Sequence, residues 1–267
     1  MSARRAQQLF AFKIVALPRD CPLKRLLRAI RDNDIKLVEF LFTKSNTDDG
    51  LSSAVSHHPL CPCDSCFQNT LINACDADGF TPLHHAAKQG NVKVVKFLLH
   101  HGADVGAITK GDGLGALHLA CQYNHKDVAL ILLENGSEVN ACDCHGNTPL
   151  HFSCSNGHVD TAAILLYHGA DVTKANDRED TALHHAARWN QCALVKELLL
   201  YGAQYSATNK DHKIPLELTK DDQVRSVIER AMRGEIEIGS YRTAHSVQII
   251  PEPTQESEEH KVKEVEH

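Results

Sequence analysis

The residues of this chain best suited to chemistry are one histidine and three cysteines within ten positions. They lie in the segment HHPLCPCDSC as His57, Cys61, Cys63 and Cys66. Thiolates and an imidazole are the ligands that tetrahedral zinc prefers. Zinc would also give a segment without apolar periodicity a reason to fold. The alternative is a flexible loop that is merely rich in cysteine, because C-x-C-x-x-C is less typical of zinc sites than paired C-x-x-C.

The other histidines and cysteines favour structural roles. One histidine recurs at a fixed spacing, and we expect it to tie neighbouring loops by hydrogen bonds: His84, His118, His151 and His184. Cys121 and Cys154 occupy positions that hold alanine elsewhere, which predicts small core residues. Cys142, Cys144 and His145 lie close together, but a second metal site there would need a donor from another segment.

Composition and motifs exclude several functional classes. No nucleophile elbow, phosphate loop or H-E-x-x-H is present, so we expect no enzyme. A net charge of −6 gives no reason to expect nucleic-acid binding, and the apolar runs are too short for membrane insertion. Ten cysteines without a secretory signal favour reduced thiols in the cytoplasm. The basic start of the chain reads as a flexible leader, with a faint likeness to a mitochondrial presequence as the alternative.

A tetrapeptide recurs at intervals of 34, 33 and 33 residues. It reads TPLH at 81–84, GALH at 115–118, TPLH at 148–151 and TALH at 181–184. The threonine can cap a helix, and the proline fits its first turn. The period and signature resemble the ankyrin repeat, whose helix pairs must stack to bury their apolar faces. The resemblance implies an all-α ankyrin-repeat solenoid of helix pairs with β-hairpin fingers.

The composition along the chain divides it into five parts. We expect a flexible leader over 1–20, an N-terminal capping helix pair over 21–42, a zinc-binding insertion over 43–75, four full ankyrin repeats with a C-terminal capping repeat over 76–232, and a disordered acidic tail over 233–267. The insertion interrupts the array with about thirty residues that have no helical period, and loops of that length are usually functional or disordered. Terminal repeats need a polar outer face, which fits the charged segments at both ends.

The cap, the cysteine segment and the repeats, over roughly residues 22–230, are similar to the second ankyrin domain of the Varp family of retromer adaptors. The likeness rests on Leu-Leu-Arg-Ala at 26–29, on the histidine and cysteine spacing of 58–66, on LHLACQ at 117–122 and on GNTPL at 146–150. The resemblance implies a zinc site made by His57, Cys61, Cys63 and Cys66. The family has cysteine where this chain has His57, and His58 is the second choice for that ligand.

The same resemblance implies a partner. In that family the zinc microdomain presents a Pro-Leu turn, here Pro59-Leu60, to the retromer subunit with a phosphoesterase fold. A metal-fixed turn would present Leu60 with little ordering cost. The chain lacks the family's N-terminal half, so functions of that half are not carried over.

The ankyrin architecture also predicts a second binding surface. In solenoids of this kind the fingers and the ends of the first helices line an extended concave groove. The repeat register places several aromatic, apolar and cationic side chains there: Phe80, Leu114, Tyr123, Arg188 and Trp189. Aromatic and arginine side chains are frequent at interface hot spots. Trp189 is the only tryptophan, and the alternative is that it packs on the next repeat.

These expectations combine into two functional hypotheses. The first is an adaptor in endosomal trafficking that binds retromer through the zinc-fixed turn and an unidentified protein through the groove. The alternative is a regulatory or substrate-receptor subunit that uses only the groove, with a purely structural cysteine loop. A zinc- or redox-responsive switch is the third possibility.

Overall fold

The computed structural model describes residues 22–43, 71–236 and 238–239. The predicted leader, the tail from residue 240 onward, and all proposed zinc ligands lie outside these ranges. The helices within them, in chain order, are α1 Pro22–Arg31, α2 Ile35–Thr43, α3 Pro82–Gln89, α4 Val92–His100, α5 Ala116–Gln122, α6 Lys126–Glu134, α7 Pro149–Asn156, α8 Val159–Tyr167, α9 Ala182–Arg188, α10 Cys192–Leu200, α11 Pro215–Leu218 and α12 Asp222–Met232.

The first helix of each repeat begins at a cap that the sequence makes recognisable. Thr81 has an extended backbone and accepts a hydrogen bond from the His84 N–H, and Pro82 follows at the first helical position. The His84 ring returns a bond, since its Nδ1 accepts from the Thr81 N–H at 3.1 Å. This reciprocal capping satisfies donors that a helix start otherwise leaves unpaired. The predicted threonine cap is therefore confirmed at Thr81.

The helices stack in two layers. The odd-numbered helices pack on one another in sequence from α1 to α11, and the even-numbered ones do so from α2 to α12. Each pair also packs internally, as α3 does on α4. Leucine, isoleucine, valine and alanine from both layers form one continuous buried core. Because each repeat buries its apolar face only against its neighbours, the array is stable as a stack rather than as single units.

The fingers that connect successive repeats contain no β-strand among the described residues, so the predicted β-hairpins are wrong there. Two isolated bridges form within the described ranges, Ile108 with Gly115 and Ala175 with Thr181. In place of a strand ladder, one side chain accepts the backbone N–H groups two and four residues later in every finger except the second: Asp76, Asp143, Asn176 and Asn209. These side chains hold a turn too short for paired strands.

Each finger is bonded to the next one along the array. The Cys144 N–H donates to the Asp112 carbonyl at 2.8 Å, and the Asp177 N–H donates to the His145 carbonyl at 2.9 Å. A bond also runs from the N-cap of α6 to α3 in the preceding repeat, since the His125 ring bonds the Lys88 carbonyl at 3.0 Å. These contacts fix the spacing of side chains along the surface that the fingers and first helices share.

None of the helices in the described ranges is long and apolar enough to cross a membrane.

Candidate protein-binding groove

The surface between the fingers and the C-terminal ends of the first helices is here called the groove. Its outermost row has one member per full repeat, at equivalent positions, and every member is exposed: Gln89, Tyr123, Asn156 and Trp189. Tyr123 and Trp189 follow directly after their helices as C-caps. Tyr123 is 44% exposed and Trp189 is 58% exposed. Trp189 therefore faces solvent rather than packing on the next repeat.

One end of the groove carries a lysine between two aromatic rings. The Lys88 Nζ lies 5.9 Å from the centre of the Phe80 ring and 5.5 Å from the centre of the Tyr123 ring. Phe80 is half-buried and packs its ring against His84 and His85. The electron-rich ring faces attract the ammonium group and hold it in place. The structure thus brings Phe80 and Tyr123 together through a residue from the helix between them.

Leu114 occupies the position equivalent to Phe80 but is not part of the exposed surface. It is only 9% exposed. Its N–H donates to Thr109 Oγ1 at 2.9 Å, and its carbonyl lies 3.0 Å from the His84 Nε2. Both backbone groups are therefore used inside the array, and the side chain turns toward the core. Leu114 therefore lies beneath the surface of the groove and offers a partner little contact area.

Arg188 is held in the groove by a buried carboxylate. Its Nη1 and Nη2 lie 2.9 and 3.1 Å from the two oxygens of Asp180, and the Asn209 side chain donates to the same group at 2.7 Å. Burial opposes ionisation of Asp180, but the bonds from Arg188 and Asn209 outweigh it and lower the pKa of the carboxyl. The guanidinium is thus a fixed and neutralised element beside Trp189, with 30% of its side chain exposed.

A polar network lies between Arg188 and the middle of the groove, and the sequence analysis missed it. The His185 ring bonds Ser155 Oγ at 2.6 Å and lies 3.3 Å from the Asn176 amide. Asn176 also donates to Asn147 at 2.8 Å. Burial, with His151 nearby, lowers the pKa of His185 to about 4, so the ring is neutral at physiological pH. In the sequence, the one signal for this network is that Ser155 and its neighbours lie at groove positions of the repeat.

The repeat histidines connect neighbouring repeats as predicted. Their Nε2 atoms bond carbonyls of the following finger, at 3.0 to 3.2 Å: His84 to Leu114, His118 to Ala141 and Asn147, His151 to Asp180, and His184 to Lys213. Cys121 and Cys154 are fully buried, which confirms them as core residues. Burial raises the pKa of the Cys121 thiol to about 12, so it stays protonated and unreactive.

The predicted metal ligands lie in two regions of the chain, of which the structure describes only one. His57, Cys61, Cys63 and Cys66, together with the alternative ligand His58 and the Pro59-Leu60 turn, lie outside the described residues and remain predictions. In the described part of the chain, no three His, Cys, Asp or Glu side chains are grouped to hold a metal ion. That part includes the finger with Cys142, Cys144 and His145.

Comparison with known proteins agrees with this geometry. The family model described as ankyrin repeats (3 copies) matches residues 26–143 and 117–209, which together run over more than half of the 267 residues. Ankyrin repeat domain-containing protein 49 of Bos taurus is 52% identical over 40 residues, 15% of this chain and 17% of that protein. Ankyrin repeat family A protein 2 of Homo sapiens is 50% identical over 44 residues, 16% of this chain and 14% of that protein.

The alignments therefore span less than a fifth of either relative. Ankyrin repeats are interaction modules that are typically non-enzymatic, and they bind other proteins through surfaces like the groove. With its stacked helix pairs, bonded fingers and interlocking histidines, this chain belongs to the ankyrin-repeat family.

Proposed function

We propose that this protein is a non-enzymatic adaptor whose groove holds an extended segment of another protein. The observation that supports this most is the exposure of Tyr123 and Trp189 at equivalent positions, two repeats apart on one rigid surface. Large aromatic side chains give much contact area at low entropic cost, and they dominate hot spots. Neighbouring helices pack about 8–10 Å apart, so the two rings are on the order of 20 Å from each other. About six extended residues would span that distance.

A photo-crosslinking experiment tests the groove. A benzophenone amino acid replaces Asn156, which is exposed in the groove row between the two aromatics, and as a control it replaces Ala163, exposed on α8 in the even-numbered layer. We expect a discrete protein to crosslink at position 156 but not at 163. The crosslink should weaken at least about tenfold with Trp189→Ala, since a hot-spot truncation costs roughly 2 kcal/mol. Equal crosslinking at both positions, or no effect of Trp189→Ala, would refute the groove proposal.

We further propose that the adaptor binds retromer through the Pro59-Leu60 turn and acts on the cytoplasmic side of endosomes. The support is the resemblance of the cysteine segment to the Varp family and the chemistry of its donors, since one imidazole and three thiolates suit structural zinc. Burial of one leucine contributes about 1.5–3 kcal/mol. The contact would therefore be weak alone, and the groove would supply further affinity or a second partner.

The test of this contact is a retromer pull-down with Leu60→Asp beside the unaltered protein. We expect the substitution to abolish capture while circular dichroism stays helical. Cys75→Ser serves as a control because Cys75 is an exposed free thiol near the segment. Undiminished retromer capture by the Leu60→Asp protein would overturn the assignment.

The alternative proposal is a regulatory or substrate-receptor subunit that uses only the groove, with the cysteine segment as a structural staple. The exposed aromatics favour it as strongly as they favour the adaptor, because they are independent of the cysteine segment. It predicts that Trp189→Ala removes every protein contact while Leu60→Asp removes none. A zinc- or redox-responsive switch, the third possibility, would require the metal to be labile under conditions in which the helices stay folded.

A further inference from the structure

Helix α1 continues the groove beyond the first full repeat. Residues 26–30 of α1 and 83–87 of α3 both bury the first, fourth and fifth members of the segment, and α3 also buries the second, His84. The two helices pack directly on each other in the odd-numbered layer. Arg28 therefore takes the register of His85, and Arg31 takes that of Lys88. Both arginines are exposed, as Lys88 is.

These three cations form a row at the N-terminal end of the groove, which we call the basic row: Arg28, Arg31 and Lys88. Among the described residues, no ion pair involves any of them. The carboxylates nearest in the sequence are Asp32 and Asp34, and Asp34 caps α2 through the Leu37 N–H. Asp76, in the adjoining finger, is bonded to His85 at 2.9 Å. The basic row thus carries charge that this part of the molecule does not neutralise.

The other end of the groove differs. Arg188 occupies the position of Lys88 three repeats later, but it forms a two-bond ion pair with the buried Asp180. Lys88 has no such partner among the described residues, so at this repeat position the cation available to a partner is the one beside α1. There the ammonium of Lys88 is also held between two rings, which reduces the ordering cost of binding an anion.

We infer that the basic row docks an acidic, extended segment of a protein partner, with its carboxylates against Arg28, Arg31 and Lys88. This inference deepens the groove proposal and rests on it. Arginine and lysine in a row complement a run of glutamate or aspartate, and such complementarity fixes direction and partner choice. A nucleic acid fits less well, because its affinity depends on neutralising many phosphates, and the row has three cations on a chain whose net charge is −6.

The probe is a fluorescein-labelled peptide of about twelve residues with alternating glutamate and serine, which spans about four repeats when extended. A peptide with glutamine in place of glutamate is its uncharged match. Fluorescence anisotropy at about 0.1 M salt measures binding to the full chain. We expect the glutamate peptide to bind and the glutamine peptide to bind at least about tenfold more weakly. A single exposed charge pair contributes little to affinity, but several aligned pairs together contribute more.

Two triple variants of equal charge change locate the site. Arg28→Glu, Arg31→Glu and Lys88→Glu reverse the basic row. Lys93→Glu, Lys96→Glu and Lys196→Glu reverse three exposed lysines of the even-numbered layer. We expect the first set to weaken binding of the glutamate peptide at least about tenfold and the second set less than about threefold. At 0.1 M salt the screening length is about 10 Å, which limits the effect of distant charges. Circular dichroism and thermal unfolding check that both sets fold.

Several outcomes overturn the inference. Equal weakening of peptide binding by both sets would mean that binding depends only on the net charge of the protein. Tighter binding of an oligothymidylate of equal charge would make the row a nucleic-acid site. The chain's own tail is the remaining competitor, so Glu256→Gln, Glu258→Gln and Glu259→Gln are made in the full chain; a tenfold gain in peptide affinity would assign the row to the tail. If the glutamate peptide does not bind while position 156 still crosslinks a partner, the acidic-segment inference is wrong but the groove proposal stands.

Discussion

The histidine of the third repeat should make the protein sensitive to mild acid. His151 is 1% exposed. Its Nδ1 accepts from the Thr148 N–H at 3.1 Å, so its Nε2 carries the proton and donates to the Asp180 carbonyl at 3.1 Å. Both ring nitrogens are thus engaged in the neutral form, and a second proton would face a donor. Burial lowers the pKa of His151 to about 4, although Asp143 and Asp180 act in the opposite direction.

The sign of the effect follows from comparing the folded and unfolded chains. In the unfolded chain the imidazole has a pKa of about 6.5, so between pH 6.5 and 4 the unfolded state binds more protons than the folded state. The contribution of His151 is fully present above pH 6.5 and is lost as the pH falls toward 4. At about 1.36 kcal/mol per pH unit, the free energy of unfolding falls by about 2 kcal/mol at pH 5 from this residue alone. The pKa values of His84, His118 and His184 are lowered by burial as well, so they add to the loss.

His151→Gln isolates the effect, because glutamine can still accept at the third helical position but does not titrate. Urea unfolding followed by circular dichroism at pH 7.5, 6.5, 5.5 and 5.0 gives the comparison. We expect the variant to be less stable at pH 7.5 by about 1–2 kcal/mol, through the lost bond to Asp180. That difference should shrink by about 2 kcal/mol by pH 5. His145→Gln, at an exposed histidine, is the control. A difference between wild type and His151→Gln that stays constant across this range would show that the reasoning is wrong.

Two further predictions concern the ion pairs and the metal. Arg188→Ala should lower the free energy of unfolding by about 2 kcal/mol, because it leaves the buried Asp180 with only Asn209 as a hydrogen-bond donor. Lys126→Ala, which removes an exposed pair with Asp160, should have a much smaller effect, and equal losses in urea unfolding would contradict the burial argument. Purified protein should carry one equivalent of zinc by mass spectrometry, Cys63→Ser should remove it and Cys75→Ser should not, and metal-free wild-type protein would end the zinc proposal.

The sequence alone was enough to predict the features that repeat. The spacing of TPLH placed helix starts, and the structure has Thr81 as a cap and His84 bonded to the next finger. Glycine after the second helix also has the expected left-handed backbone, as at Gly102 with φ of 85°. These features depend on local chemistry that each repeat supplies for itself, so a periodic sequence is sufficient to predict them.

Differences between equivalent positions could not be predicted in this way. The register placed Phe80 and Leu114 together in the groove, yet one is half-buried and the other is in the core. The second finger is also built differently, since Thr109 rather than an Asp or Asn accepts the turn N–H, from a residue five positions later. Likewise, the sequence suggests that Arg188 is a free cation, but in the fold it is bonded to Asp180, which also accepts from Asn209. Such outcomes depend on contacts between repeats that the period does not contain.

The second repeat offers a test of this distinction at Gly115, which replaces the capping threonine of the other full repeats. Its backbone, with φ −86° and ψ 168°, matches Thr181 with φ −85° and ψ 170°, and both residues form the same isolated bridge. An added Cβ would make ordinary contacts, 3.5 Å from His118 Nδ1 and 3.8 Å from the Ala107 carbonyl. A threonine there should therefore give His118 the hydroxyl bond that His151 receives from Thr148 at 2.8 Å. Gly115→Thr should raise the free energy of unfolding by about 0.5–1 kcal/mol, and Gly115→Ala by less, because only threonine adds the cap. Gly102→Ala, where an added Cβ meets nothing within 4 Å but φ is positive, should lower the free energy of unfolding by about 1 kcal/mol. If Gly115→Thr were destabilising in urea unfolding, the N-termini of the first helices would not be interchangeable units.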